Sequence, residues 1–254
     1  MSVMRSEIVG IILAAGKGTR INAKDANKVS YLFLGKPIIE YGVETFKKVC
    51  DKTIVVIGAF SESVKKVLKN HKNIKLVYQK RQLGTAHAVL VALKEIDKDS
   101  PSLVLVGMGD HMMFCKPETI KKLISYHKNK KAVISFITTN YEDPDALAWG
   151  RVERDRTGKV LDIIEHKDAN EKQRKIKELN SGFYCFDYKF LKENIKKVKK
   201  SKVTNEYYLP DLVKLACINK LNVFSMRVRF REIGIGINKA EELSLSQQIF
   251  KQFN

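Results

Sequence analysis

Apolar and polar positions alternate along the chain in two rhythms, one of strand length and one of helical period. Residues 8–13 (IVGIIL) form a short apolar run bounded by polar residues, which predicts a core strand. Residues 37–49 follow with helical spacing and bring Ile38, Ile39, Val43 and Phe46 to one side. Residues 53–58 (TIVVIG) are continuously apolar, as a strand buried on both faces of a parallel sheet must be. The pattern then predicts a short amphipathic helix over 61–69 with Ser61 as its N-cap. It continues with a strand over 74–78, a helix over 85–96, a strand over 103–106, a helix over 118–127 and a strand over 132–138. This β-α alternation predicts an α/β fold with a doubly wound, mostly parallel, Rossmann-like sheet. Right-handed crossovers place the loops after the strand C-termini along one edge, where such sheets bind ligands.

The rhythm changes after about residue 140. Residues 149–153 and 159–165 read as short β runs joined by the turn Asp155-Arg156-Thr157-Gly158. A charged helix is predicted over 169–177 and a strand over 183–186. These segments, about 140–187, predict a small antiparallel β lobe over the sheet edge. A helix over 207–218, a strand over 222–227 and a helix over 239–250 complete the pattern. There is no internal repeat and no low-complexity linker, so residues 1–254 are expected to form a single domain.

Composition narrows the function classes. The chain has 254 residues, 44% of them hydrophobic, enough for a proper core. No apolar stretch reaches membrane-span length and no signal-peptide core is present, so a soluble, cytoplasmic protein without a membrane partner is expected. Cys50, Cys115, Cys185 and Cys217 make no Cys-x-x-Cys pair and read as buried free thiols in a reducing compartment. The net charge of +19 admits nucleic acid, a membrane surface or small anions as partners. Its lysines are spread along the chain, and the densest run, 196–202, has no interleaved aromatic residues for base stacking. That run reads as a solvated face, and no nucleic-acid partner is expected. Long-range attraction of a polyanionic substrate follows from the same charge.

The first strand runs into Leu13-Ala14-Ala15-Gly16-Lys17-Gly18-Thr19-Arg20. Small residues after a strand let backbone N–H groups close around an anion. Neither the Walker spacing nor Gly-x-Gly-x-x-Gly is present. By itself the stretch is either a phosphate cradle or a tight corner of the sheet.

It does not stand alone. The stretch 13–20, then Lys28, then Leu34-Gly35-Lys36-Pro37 resembles the signature of the sugar-phosphate nucleotidyltransferases. Gln79 and Gln82-Leu83-Gly84-Thr85-Ala86-His87-Ala88 look like the nucleobase-reading segment of one branch. Glu165-His166-Lys167-Asp168-Ala169 and Asn180-Ser181-Gly182 are similar to its sugar-binding segments. Asn205-Glu206-Tyr207-Tyr208-Leu209-Pro210-Asp211 is close to its Glu-Tyr-Tyr-x-Thr-Asp stretch. The branch is the uridylyltransferase domain of the bifunctional N-acetylglucosamine-1-phosphate uridylyltransferase/glucosamine-1-phosphate acetyltransferase. The resemblance covers nearly the whole chain, with the motifs in order.

The resemblance implies transfer of UMP from UTP to N-acetylglucosamine 1-phosphate, with release of pyrophosphate. Leu13, Ala14, Ala15 and Gly16 would cradle the nucleotide. Arg20 and Lys28 would be catalytic, stabilising charge on the leaving pyrophosphate. Gln79, Gly84 and Thr85 would read uracil, the Gln79 amide offering one donor and one acceptor. Gly84-Thr85 equally reads as a helix start with Thr85 as N-cap. Asp110 and Asn238 would hold Mg²⁺, a cation that prefers oxygen ligands. Gly150, Glu165 and Asn180 would bind the sugar. His87 and His166 neighbour motif residues but pair with no nucleophile, and read as structural.

The sequence departs from the family at three places near the expected sugar pocket. Met108 stands where the family has a tyrosine, His111-Met112-Met113 lacks the usual proline, and Asp145-Ala146-Leu147-Ala148-Trp149-Gly150 replaces Gly-Tyr-Gly. Another sugar 1-phosphate, such as glucose 1-phosphate, therefore remains a candidate, as does a nucleotide-sugar sensor without turnover. No hexapeptide repeats of the acetyltransferase β-helix occur, so acetyl transfer is not expected.

Overall fold

The computed structural model describes residues 7–18, 26–96, 100–238 and 240–253. Its elements in chain order are β1 (Ile8–Ala14), β2 (Leu32–Phe33), β3 (Lys36–Pro37), α1 (Ile38–Lys47), β4 (Lys52–Ile57), α2 (Ser61–Leu68), β5 (Ile74–Tyr78), α3 (Thr85–Ile96) and β6 (Leu103–Met108). They continue with α4 (Pro117–Asn129), β7 (Ile134–Asn140), β8 (Gly150–Arg154), β9 (Val160–Ile164), α5 (Glu171–Arg174), β10 (Glu178–Asp187), α6 (Tyr188–Asn194), α7 (Asp211–Ile218), β11 (Val223–Arg227) and α8 (Ala240–Phe253).

Alternation along the central strands builds three layers. Val9 and Ile11 of β1, Ile54 and Val56 of β4, and Val104 and Val106 of β6 face one buried cluster. Ile12 and Ala14, Val55 and Ile57, and Leu103 and Leu105 face the other. The first cluster is closed by α3, α6 and α7 through Val89, Leu191 and Leu212. The second is closed by α1, α2 and α4 through Phe46, Val64 and Leu123. Period-2 burial on both faces requires helices on both sides, which is the doubly wound arrangement. Gly10 interrupts the run for a packing reason: a Cβ there would lie 2.5 Å from the Phe46 ring.

The sheet order is β11-β7-β10-β6-β1-β4-β5, with β8 attached to β10 and β9 to β8. Strands β1, β4, β5 and β6 are parallel, as are β7 and β11. Strand β10 is antiparallel to β6, β7 and β8. The expected antiparallel material is therefore present, but its last strand enters the main sheet between β6 and β7. The strand predicted over 183–186 is the second half of this longer β10. At its start, buried Glu178 accepts hydrogen bonds from Arg154 (2.6 Å), Arg227 (2.7 Å) and Thr138 (2.8 Å), tying β10 to β7, β8 and β11.

Local corrections have local causes. The residue before α2 is Phe60, in the left-handed region, and no side chain caps the helix, so Ser61 is its first residue and not its N-cap. The helix predicted over 169–177 is confined to Glu171–Arg174 by an Asn170/Gln173 capping box and by the start of β10. The helix predicted over 207–218 begins at Asp211, after Pro210. All four cysteines are free. No helix among the described residues is long and apolar enough to cross a membrane.

Candidate functional site

The chain runs β1, β4, β5 to one side of β1 and then crosses to β6 on the other. This reversal opens a crevice beyond the C-terminal end of β1, the usual ligand site of such sheets. A cleft of about 610 Å³ lies there. Its floor is the segment 13–18. The segment 58–59 packs so closely beside it that a Cβ on Gly58 would lie 2.7 Å from Ala15 O.

One buried side chain shapes this floor. Asn27 is 1% exposed. Its Nδ2 donates to Ala14 O (3.1 Å), Gly16 O (3.1 Å) and Ala59 O (2.9 Å). Its Oδ1 accepts Val29 N–H (3.2 Å) and so caps the short 3-10 turn Lys28–Ser30. The residue before Lys28 thus fixes both the loop and the helical turn that carries Lys28.

At the mouth of the crevice three groups from distant parts of the chain converge. Lys28 Nζ forms an ion pair with Asp110 Oδ2 and donates to Asn238 Oδ1 at 2.9 Å. Asp110 follows β6 directly. Asn238 precedes α8, and its N–H donates to Glu242 Oε2 at 2.5 Å. Burial raises the Asp110 pKa, but the Lys28 charge and hydrogen bond outweigh it and hold the carboxyl below its ordinary value. Asp110 and Asn238 each turn a side-chain oxygen toward Lys28. Among the described residues no group of three His, Cys, Asp or Glu side chains is placed to hold a metal by itself.

Another part of the cleft is built from backbone. Gly84 has φ +101°, and a Cβ on it would lie 2.5 Å from Tyr207 O. This permits Tyr207 N–H to donate to Leu83 O (2.8 Å) and Ala86 N–H to Tyr207 O (2.9 Å). Thr85 starts α3, but its Oγ1 accepts Leu209 N–H (2.8 Å). The hydroxyl expected as an N-cap instead holds the 205–209 segment, which brings Glu206 and Tyr208 into the cleft wall. Gln79 is 3% exposed and lines the cleft with Gln82.

Met108, Ala148, Glu165, His166 and Lys167 also line the cleft. Burial, followed by the carboxylates of Asp211, Asp168 and Glu206, pushes the Glu165 pKa up to about 7. Gly150 and Asn180 face each other across the β8–β10 pair and are not among the lining residues. Asn180 Nδ2 donates to Tyr184 Oη (2.6 Å), and its Oδ1 accepts Gly182 N–H (3.2 Å). Beside them Arg151 is 0% exposed. Its guanidinium donates to Pro144 O (2.7 Å), Leu147 O (3.0 Å) and Trp149 O (2.5 Å), which pins the loop bearing Ala148.

The model of the family described as nucleotidyl transferase matches residues 9–228. The chain belongs to the nucleotidyl transferase family. It is 39% identical over 243 residues to the bifunctional protein GlmU of Caldicellulosiruptor saccharolyticus, which covers 95% of this chain and 51% of that protein. It is 36% identical over 249 residues to GlmU of Listeria monocytogenes, covering 97% and 53%. The chain therefore spans about half the length of these curated relatives. A solved structure of UDP-glucose pyrophosphorylase in complex with UDP-glucose has a TM-score of 0.75 at 19% identity, covering 97% of this chain and 99% of that one.

In this nucleotidyl transferase the cleft brings together Leu13, Ala14, Ala15, Gly16, Lys28, Gln79, Gly84, Thr85, Asp110, Glu165 and Asn238. Gly150 and Asn180 pair with one another across β8–β10 and are not among the lining residues. Arg20 lies outside the described residues. Sequence reasoning missed Asn27, which carries no local signal: its three carbonyl partners lie on two other segments. Gln82, Glu206 and Tyr208 were inside recognised motifs but had been given no role.

Proposed function

We infer that the chain is a sugar-1-phosphate uridylyltransferase that forms UDP-N-acetylglucosamine and pyrophosphate from UTP and N-acetylglucosamine 1-phosphate. One observation carries this reading. A single cleft gathers a cation with two oxygen ligands, a buried amide beside a backbone-built corner, and a carboxyl group. A phosphate chain, a base and a sugar ring each find a matching group among these.

In this reading a phosphate oxygen of the sugar phosphate attacks the α-phosphorus of UTP in line, and the bond to the bridging oxygen of pyrophosphate breaks. The protein then works by positioning and charge neutralisation, without a covalent nucleophile. The segment 13–16 presents backbone N–H groups to the phosphates. Lys28 turns from Asp110 and Asn238 to the triphosphate, joined by Arg20. Asp110 Oδ2 and Asn238 Oδ1 are oxygen donors that would suit Mg²⁺, which when bound would draw charge from the phosphate oxygens. Glu165 hydrogen-bonds sugar hydroxyls.

Pyrophosphate release, measured with Mg²⁺, each of the four nucleoside triphosphates and a panel of sugar 1-phosphates, tests the assignment. UTP with N-acetylglucosamine 1-phosphate is the expected best pair. Release with UTP and glucose 1-phosphate alone would move the assignment to that sugar, in keeping with Met108 and Ala148 in the wall. No release with UTP and any hexose 1-phosphate rejects the reading. Asp110→Ala should abolish release while leaving the urea midpoint near that of the wild type.

A further inference from the structure

The Gln79 amide does not offer a donor and an acceptor equally. It follows β5, with its backbone N–H bonded to Ile57 O (2.8 Å) and its backbone carbonyl accepting Gln82 Nε2 (3.0 Å). Its Nε2 lies 2.8 Å from His87 Nδ1 and donates to Gly84 O at 3.3 Å. An amide nitrogen has two hydrogens, and both are engaged within the protein. Gln79 Oε1 has no partner among the described residues, and the residue lines the cleft.

The orientation follows from the neighbours. Gly84 O can only accept. Were the amide turned over, Oε1 would face the Gly84 carbonyl, lone pair against lone pair, and His87 could match it only with the ring proton on Nδ1. His87 Nδ1 accepts when the ring is neutral with its proton on Nε2. Burial, aided by the charge of Lys94, lowers the His87 pKa and keeps the ring neutral at ordinary pH. His87 is half-buried in the first turn of α3 and is not among the residues that line the cleft. Its effect on a ligand must pass through Gln79.

We propose that His87 is a specificity-determining positioning residue, which holds the Gln79 amide so that only Oε1 faces the base and thereby selects an imide-type pyrimidine over cytosine. This rests on reading the cleft as a nucleoside triphosphate site. Uracil and thymine present a ring N–H between two carbonyls, so an acceptor at this point is matched. Cytosine presents a bare ring nitrogen there, and two acceptors meet. An uncompensated buried polar contact costs on the order of 1–3 kcal/mol, roughly five- to hundredfold in affinity.

Equilibrium titration of UTP and CTP into wild type, His87→Leu, His87→Asn and Gln79→Met tests this, with pyrophosphate release measured on the same samples. The wild type should prefer UTP by at least about tenfold. His87→Leu frees the amide to rotate, and the preference should shrink about tenfold, mostly through tighter CTP binding. His87→Asn places Oδ1 near the former Nδ1 and should restore most of it. Gln79→Met should abolish it, and this variant carries the test if His87→Leu does not fold. Damage to packing alone would weaken both nucleotides alike and leave their ratio unmoved. An unchanged ratio in His87→Leu, a retained preference in Gln79→Met, or a wild type indifferent to the base overturns the proposal. Discrimination in binding without pyrophosphate release from any sugar 1-phosphate would reject the transferase reading and leave the role of His87 standing.

Discussion

Asn27 offers the sharpest test of how the cleft floor is held. Replacing it with alanine removes two amide hydrogens that serve the carbonyls of Ala14, Gly16 and Ala59, and an oxygen that caps Val29 N–H. Each net hydrogen bond is worth about 1 kcal/mol, and loss of the N-cap acceptor costs about another 1 kcal/mol. Because Asn27 is 1% exposed, water does not simply replace the lost donors, so about 3 kcal/mol is expected in all. That exceeds the cost of a typical point substitution, about 1 kcal/mol. The same change unties the segment 14–18, so UTP affinity should fall at least about tenfold. Urea denaturation at pH 7 measures the first quantity, and calorimetric titration with UTP the second. Asn27→Asp keeps an oxygen for Val29 N–H but turns a carboxylate toward the carbonyls, and should be at least as damaging to UTP binding as Asn27→Ala. Stability within about 1 kcal/mol of wild type together with unchanged UTP affinity in Asn27→Ala would refute the reasoning and make Asn27 a spectator.

The Lys28 cluster and Glu165 supply two further predictions. Lys28 Nζ contacts both Asp110 Oδ2 and Asn238 Oδ1, so it competes with any cation for those oxygens; Lys28→Met should bind Mn²⁺ more tightly in the absence of nucleotide, by electron paramagnetic resonance, yet release pyrophosphate on the order of a hundredfold more slowly. Equal Mn²⁺ affinity would show that the two oxygens are not the metal ligands. Burial, with help from neighbouring carboxylates, pushes the pKa of Glu165 up to about 7 and that of Asp211 up to about 6. Both folded-state values lie above the unfolded ones, so the native state holds protons that the unfolded chain has released, and the contribution of these groups to stability is lost as pH rises through 6 and 7. Urea midpoints at pH 5.5 and pH 8 should therefore fall less in Glu165→Gln than in wild type; parallel slopes would contradict the burial of that carboxyl.

What the sequence disclosed and what it hid divide along one physical line. Strands β1, β4 and β6 were legible because their two buried faces leave a continuous apolar run, which a local window detects. The position of β10 was not, since the same apolar run is compatible with a lobe or with insertion between β6 and β7; only its long-range partners decide. Arg151 reads as an ordinary charged strand residue, yet it is wholly buried because carbonyls of the loop before it gather around its guanidinium. The site shows the same division more finely. Segments 13–18, 79–85, 108–110, 165–167 and 238, singled out by their motifs, meet in one cleft, but motif order does not say which side chains are left to meet a ligand. Asn180 matches its motif as well as Glu165 does, but both ends of its amide are engaged by Tyr184 and Gly182, and it is not among the lining residues. Asn27 matches nothing, yet it fixes the floor. Gln79 lies between these cases, with its nitrogen committed and its oxygen open. A motif identifies the segment that approaches the ligand; the hydrogen bonds a side chain already makes determine what that segment has left to offer.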